Sequence, residues 1–427
     1  MLDATALAAA IAAGNTTAVA TTAACLDRIA ARDAVVKAWA HLDPAQAWAS
    51  AAASDAVPVT GPLRGVPIGV KDVILTRDMP TAYNSPLYEG HQPGLDAACV
   101  ALLRRAGATI LGKTATVEFA SIGRVAATTN PHAPGHTPGG SSSGSAAAVA
   151  DGQVPIALGT QTGGSIIRPA SFCGVWALKP TWGTVSGEGM KPFAPSLDTL
   201  GWFARSARDL GLMLRAFDPP ATPDPTPATL RRIAVWRTPG WASAGPATGA
   251  ALTTAIDRLV AAGIAVADLA LPAWCDGLAE AQLTIMMAEG RRSFLHEYRT
   301  GAPRLHPRIV AMVENAAAIG PDQLRDAHDL AARARHAFDA AAAEHDAVLA
   351  PSTICEAPEG LSSTGDLIFN GLFTLMHVPC INLPLFRAAN GLPVGLTLTG
   401  PRYADHQLVG IAEQLQSLFA DRLVVPR

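Results

Sequence analysis

The chain has 427 residues, and its 32 basic and 35 acidic side chains leave a net charge of −3. It has no run of Lys and Arg that would form the basic stripe of a nucleic-acid binder. Hydrophobic residues make up 49% and charged residues 16%, against about 25% charged in an average domain, which excludes a disordered chain and favours a large buried core. No apolar stretch reaches the ~18 residues of a membrane span. Asp3 stands where a signal peptide needs positive charge. Six scattered cysteines with no CxxC read as reduced thiols. A cytoplasmic protein is expected, without nucleic acid or membrane as partner.

In chain order, alanine-rich residues 15–53 carry Leu, Ile and Trp at helical spacing and predict a helical N-terminal region over about 1–55. Residues 63–75, apolar and β-branched around Lys71-Asp72, predict a buried strand and its end. A helix over 95–106, stopped by Gly107, leads to a strand over 108–111. Small residues over 145–150 suit a tightly packed helix, with strands at 156–160 and 175–178 and a helix at 206–216. The Pro-rich segment 218–229 reads as a linker or a surface crossing. Beyond it, strands are predicted at 233–236, 264–269, 347–349, 381–385 and 394–398, and helices at 248–262, 276–298, 322–344 and 404–420. Alternating strands and helices predict an α/β fold with a parallel or mixed sheet.

Three segments bear on chemistry. Gly107 to Thr114 fits the phosphate-binding pattern GxxxxGK[ST]. Its variable positions, Ala-Thr-Ile-Leu, make a better strand than a phosphate loop, so Lys113 is expected at a strand end. Gly139-Gly140-Ser141-Ser142-Ser143-Gly144-Ser145 is either a linker or a turn that presents hydroxyls, and it runs directly into an apolar helix. Thr160-Gln161-Thr162-Gly163-Gly164-Ser165 follows a strand. Two glycines before a serine let successive N–H groups converge as an oxyanion hole requires. A nucleophilic serine needs a base. His132 and His136 read as loop or packing residues. Lys71, in an apolar strand, is either paired with Asp72 or desolvated into a neutral amine. The residues alone leave that choice open.

Lys71, then GGSSSGS, then GGSIIRP, in this order and with Ser141 and Ser165 24 positions apart, resembles the amidase signature family. The resemblance covers most of the chain, from Leu63-Arg64-Gly65-Val66-Pro67 to Lys179-Pro180-Thr181 and beyond. It implies one amidase domain over 1–427, built as three α/β/α layers around a twisted mixed sheet. A signature core would span about 60–217, and 230–427 would complete the sheet. It further implies a Ser–cis-Ser–Lys triad: Ser165 as nucleophile, Ser141 after a cis bond as the bridge, and Lys71 as base. Thr162, Gly163, Gly164 and Ser165 would form the oxyanion hole, with Ser142 hydrogen-bonded to Lys71. Thr160, Gln161, Gly140 and Arg168 would contact substrate, without cofactor or metal.

Some positions depart from the common pattern. Gln161 stands where Asp is frequent, Ser143 where Gly is, and Arg168 sits one place late. Met376-His377-Val378 departs from the family's small or polar residues and would reshape the acyl pocket. The shifted arginine resembles the malonamidase branch, where it binds a substrate carboxylate. The expected function is hydrolysis of a small carboxylate-bearing amide such as a malonamate. The alternatives are neutral amides, esters or carbamates, and an ammonia-supplying glutaminase-type subunit of an amidotransferase. The expected partner is a small-molecule amide, with a homodimer as the open assembly.

Overall fold

The computed structural model describes residues 2–56, 61–219 and 229–421, so the Pro-rich segment lies mostly outside the described residues. Among the described residues eleven strands form one sheet: β1 Trp39–His41, β2 Pro67–Lys71, β3 Thr109–Thr114, β4 Ile156–Gln161, β5 Trp176–Lys179, β6 Thr199–Ala204, β7 Arg232–Val235, β8 Ala265–Asp268, β9 Ala347–Pro351, β10 Cys380–Arg387 and β11 Pro393–Thr399. Their order is β1-β3-β2-β4-β6-β5-β10-β11-β9-β7-β8. Strands β3-β2-β4 and β9-β7-β8 pair in parallel and the remaining pairs are antiparallel, so the sheet is mixed. Helices cover both faces in a three-layer α/β/α arrangement. Ser143–Ala150 and Ile167–Cys173 pack together on one face, Ala207–Phe217 and Asp405–Leu418 on the other.

The predicted strands all appear, within a few residues of their expected ends, because those in the interior of the sheet are continuous apolar runs covered on both faces. The helix expected over 276–298 is two, Leu278–Ser293 and Leu295–Gly301. The break falls at Phe294, whose fully buried ring packs against Phe119 and Phe193.

Small side chains set how closely the layers approach. All eight residues of Ser143–Ala150 are buried. A Cβ at Gly144 would lie 2.1 Å from the Ala38 carbonyl oxygen, so only glycine lets this helix seat against β1. Residues 107–114 form a turn and β3, not a phosphate loop: Lys113 lies inside the strand, fully buried. All six cysteines are free thiols. Among the described residues no helix is long and apolar enough to cross a membrane.

Candidate active site

The site forms where parallel strands β2 and β4 end, the usual position for a ligand crevice in such a sheet. β2 ends at Lys71 and β4 delivers Thr160 and Gln161 beside it. Lys71 Nζ lies 2.8 Å from Ser141 Oγ and 2.8 Å from Thr160 Oγ1, with the Thr160 carbonyl at 3.4 Å. The Gly140–Ser141 peptide bond is cis.

Asp72 does not pair with Lys71. Successive side chains leave a strand on opposite sides, and Asp72 instead meets Lys113 at 3.3 Å, where Thr81 Oγ1 also receives the ammonium. Among the described residues no carboxylate lies in ion-pair contact with Lys71. Burial therefore holds its pKa well below 10.5, opposed only by the more distant charge of Asp198. Ser142 does not bond Lys71 as the resemblance implied. Its Oγ accepts from the Thr160 N–H at 3.3 Å and reaches the Thr160 carbonyl at 3.2 Å, so it holds the residue that holds the lysine.

Beyond β4 the chain turns through Thr162, Gly163 and Gly164 to Ser165. Among the described residues no hydrogen bond occupies the N–H groups of Thr162 to Ser165 or the Ser165 hydroxyl. The carbonyls and side chains around them are tightly held. Gln161 Oε1 accepts from Ile166 and Ile167 N–H at 2.8 and 3.1 Å, and its Nε2 donates to Thr374 Oγ1. Thr374 in turn donates to the Gly163 carbonyl, and Gln282 to that of Thr162. A Cβ at Gly164 would lie 2.6 Å from Asn370 Oδ1, which explains the glycine there. Gln161, expected at the substrate, instead pins the turn to the start of the helix Ile167–Cys173 and lies outside the lining of the cavity above the turn.

A cavity of about 300 Å³ opens over this turn. Thr162, Gly163, Gly164, Ser165 and Arg168 line it, with Val117, Phe193, Met286 and Leu367 as apolar wall. Ser165 keeps 8% exposure and Lys71 none, so an entering molecule meets the serine and never the amine. Thr160 and Gly140, expected at the substrate, lie outside this lining. Thr160 serves Lys71, and the Gly140 carbonyl accepts from Arg168 Nη2 at 2.7 Å.

Arg168 itself lines the cavity and, among the described residues, forms no ion pair with a carboxylate. Its other bonds go to the Gly365 carbonyl and the Thr364 hydroxyl, and its buried Nε has no partner. Burial pushes its pKa down to about 10, so the guanidinium stays charged at neutral pH. A second cation, the exposed Arg308, lines the same cavity, and among the described residues no acidic side chain does. No local signal marks Arg308: it lies 143 residues beyond Ser165 in an unremarkable His-Pro-Arg stretch.

Among the described residues no histidine lines the cavity. His132 Nε2 meets the Cys173 carbonyl at 2.9 Å. His377 Nε2 meets the Ser196 carbonyl at 2.7 Å, and its ring stacks on Trp182. Burial and the Arg335 charge push the His377 pKa down to about 3, so it is neutral and structural. Asp198, Gln282 and Thr374, which brace the turn, carry no local motif that would single them out.

The fold and this site define an enzyme of the amidase type. The family model described as Amidase matches residues 20–409, and the chain belongs to that family, whose enzymes act on carbon–nitrogen bonds. It is 36% identical to a glutamyl-tRNA(Gln) amidotransferase subunit from Roseiflexus castenholzii, over 92% of this chain and 91% of that one. Among solved structures it resembles an amidase at TM-score 0.89 and 29% identity, covering 98% of this chain and 100% of that one. It also resembles the peptide amidase of Stenotrophomonas maltophilia at TM-score 0.83 and 29% identity, covering 100% of this chain and 98% of that one. These relatives support the family, not the malonamidase branch in particular.

Proposed function

We propose that the chain is a serine amidohydrolase that opens the carboxamide of a small carboxylate-bearing substrate and releases ammonia. One observation carries this reading: among the described residues, a buried amine with no carboxylate in contact lies 2.8 Å from Ser141 and 2.8 Å from Thr160, on the strand that runs straight into the turn of unbonded N–H groups ending at Ser165. Ser165 Oγ attacks the amide carbon as its proton passes to Ser141 and the Ser141 proton passes to Lys71. The N–H groups of residues 162–165 hold the oxyanion. The proton returns through Ser141 to the leaving nitrogen, the C–N bond breaks and ammonia departs. Water then cleaves the acyl-enzyme by the same relay. The whole chain acts as one amidase domain in this reading, since a single sheet takes strands from both sides of the Pro-rich segment.

Two arginines on the cavity wall, with no acid there among the described residues, favour an anionic substrate over neutral amides, esters or carbamates. Of the finer readings, glutaminase-type ammonia supply within an amidotransferase has the better support, from the relatives' names. A malonamate-type substrate has the support of Arg168 on the wall beside Ser165.

The test is ammonia release from glutamine, asparagine and malonamate, set against propionamide and a phenyl carbamate. A charge-assisted contact contributes about 1.5–3 kcal/mol, so the acids should lead by about tenfold or more. Equal rates on neutral amides refute the substrate class. Ser165→Ala should abolish turnover while keeping the melting temperature; turnover at the wild-type rate in that variant refutes the mechanism.

A further inference from the structure

We infer that Asp198 is a positioning residue for the reaction, holding the oxyanion turn in its working shape through the hydroxyl of Thr162; this rests on the amidohydrolase reading above. The geometry is specific. Thr162 Oγ1 donates to Asp198 Oδ1 at 2.5 Å, and Oδ2 accepts from the N–H groups of Phe193 at 2.7 Å and Ala194 at 3.1 Å. Thr162 and Phe193 both line the cavity. One carboxylate therefore ties the turn that bears the free N–H groups to the cavity wall.

Strand pairing delivers the contact. Gln161 stands opposite Thr199 in the β4–β6 register, so the residues flanking that pair, Thr162 and Asp198, come together where the two strands part. The other braces, Gln282 and Thr374, are neutral and grip turn carbonyls. Asp198 is the one carboxylate among the described residues bonded to the turn, and a hydroxyl–carboxylate bond is about twice as strong as a neutral one.

The charged groups that act on Asp198 lie on two other elements. From β2, Lys71 feels its negative charge, which favours the protonated amine. From the helix Leu278–Ser293, Glu289 opposes its ionisation; Glu289 itself accepts from the Ser196 N–H and hydroxyl and faces His328 at 3.7 Å. Burial is the largest influence and pushes the Asp198 pKa up to about 6, with the Thr162 hydroxyl and the two N–H groups pulling the other way. The brace is therefore strongest with Asp198 ionised, well above about pH 6, and weakens as pH falls through that value. Removing the carboxylate charge also lets Lys71 shed its proton at lower pH.

The experiment is steady-state ammonia release by the full-length chain as a function of pH. It compares wild type with Asp198→Asn, Thr162→Val, Thr162→Ser and the Asn/Val double variant. Misplacing oxyanion donors costs on the order of 10–100-fold. Asp198→Asn and Thr162→Val should each lose about that factor in kcat with a smaller change in KM. Thr162→Ser, which keeps the hydroxyl, should stay near wild type. The double variant should be no worse than either single one, as for two residues acting through one bond. The acid limb of kcat should move to lower pH in Asp198→Asn. Full kcat in Thr162→Val, multiplying losses in the double variant, or an unmoved acid limb would each overturn the inference. Ser165→Ala separates the two levels. If it is inactive while Thr162→Val is fully active, only the positioning role fails; if it is active, the amidohydrolase reading fails first.

Discussion

Lys71→Met removes the amine and keeps a side chain of nearly the same length and volume. In the native structure Lys71 is fully buried with three contacts, to Ser141 Oγ, Thr160 Oγ1 and the Thr160 carbonyl. Loss of the amine leaves two hydroxyls short of a partner, at about 1–3 kcal/mol for each that stays unsatisfied. It also removes the cost of burying an ionisable amine, so the net change in stability should stay within about 2 kcal/mol. The rate should respond on another scale. General-base catalysis contributes about 10²–10⁴-fold, which is about 2.7–5.4 kcal/mol of barrier at 1.36 kcal/mol per decade.

The same variant reports the state of the lysine. With its folded pKa well below 10.5, the unfolded chain binds more protons at this residue between that lowered value and 10.5. Stability contributed by Lys71 therefore rises with pH across that window. The wild-type unfolding midpoint should gain on that of Lys71→Met as pH rises through it. Urea unfolding at several pH values, paired with ammonia-release kinetics at pH 8, measures both. Turnover within about tenfold of wild type at pH 8 would refute the assignment of the base. A pH-independent difference in midpoint would refute the desolvated amine.

Two further outcomes follow from the residues around the site. Arg308→Ala, which has no hydrogen bond to the turn, should raise KM for carboxylate-bearing amides by about tenfold and leave neutral amides unchanged; equal effects on both, in kcat/KM, would remove Arg308 from substrate recognition. Lys113→Met strands Asp72 as a buried charge and should cost roughly 3–5 kcal/mol in urea unfolding, and Mg²⁺-ATP should stabilise neither form. A nucleotide-dependent rise in the wild-type midpoint would contradict the strand reading of residues 107–114.

The alternation of strands and helices is readable because interior parallel strands must be apolar throughout, and segments such as 67–70 and 156–158 are. The two glycine–serine turns are readable for a related reason. Backbone that passes within 2.1 Å of a neighbour's oxygen at the Cβ position of Gly144, or 2.6 Å at that of Gly164, admits no other residue, so the geometry leaves letters behind. The split of 276–298 is not readable, because Phe294 is drawn inward by Phe119 and Phe193, which lie far away in the chain. Gln161 shows the limit at the site. Its residue type stands out in the sequence, but capping two N–H groups of the next helix while reaching Thr374 is visible only once residues 161 and 374 meet.

The sequence by itself determined the family and most of the strands, β1 and β6 excepted, and it singled out Lys71, Ser141 and Ser165 as candidates, since each of these is written in a short local pattern. Tertiary structure alone decided what those residues touch. It turned Asp72 toward Lys113 and left Lys71 with no carboxylate in contact among the described residues, only the more distant charge of Asp198. It set Ser142 on Thr160 and put Arg168 on the Gly140 carbonyl. It brought Asp198 to the Thr162 hydroxyl and Arg308 to the cavity wall from other segments of the chain. The physical reason is that charge pairing and desolvation depend on which strand ends lie side by side. Sheet register sets that proximity, and it acts between residues that no local pattern connects.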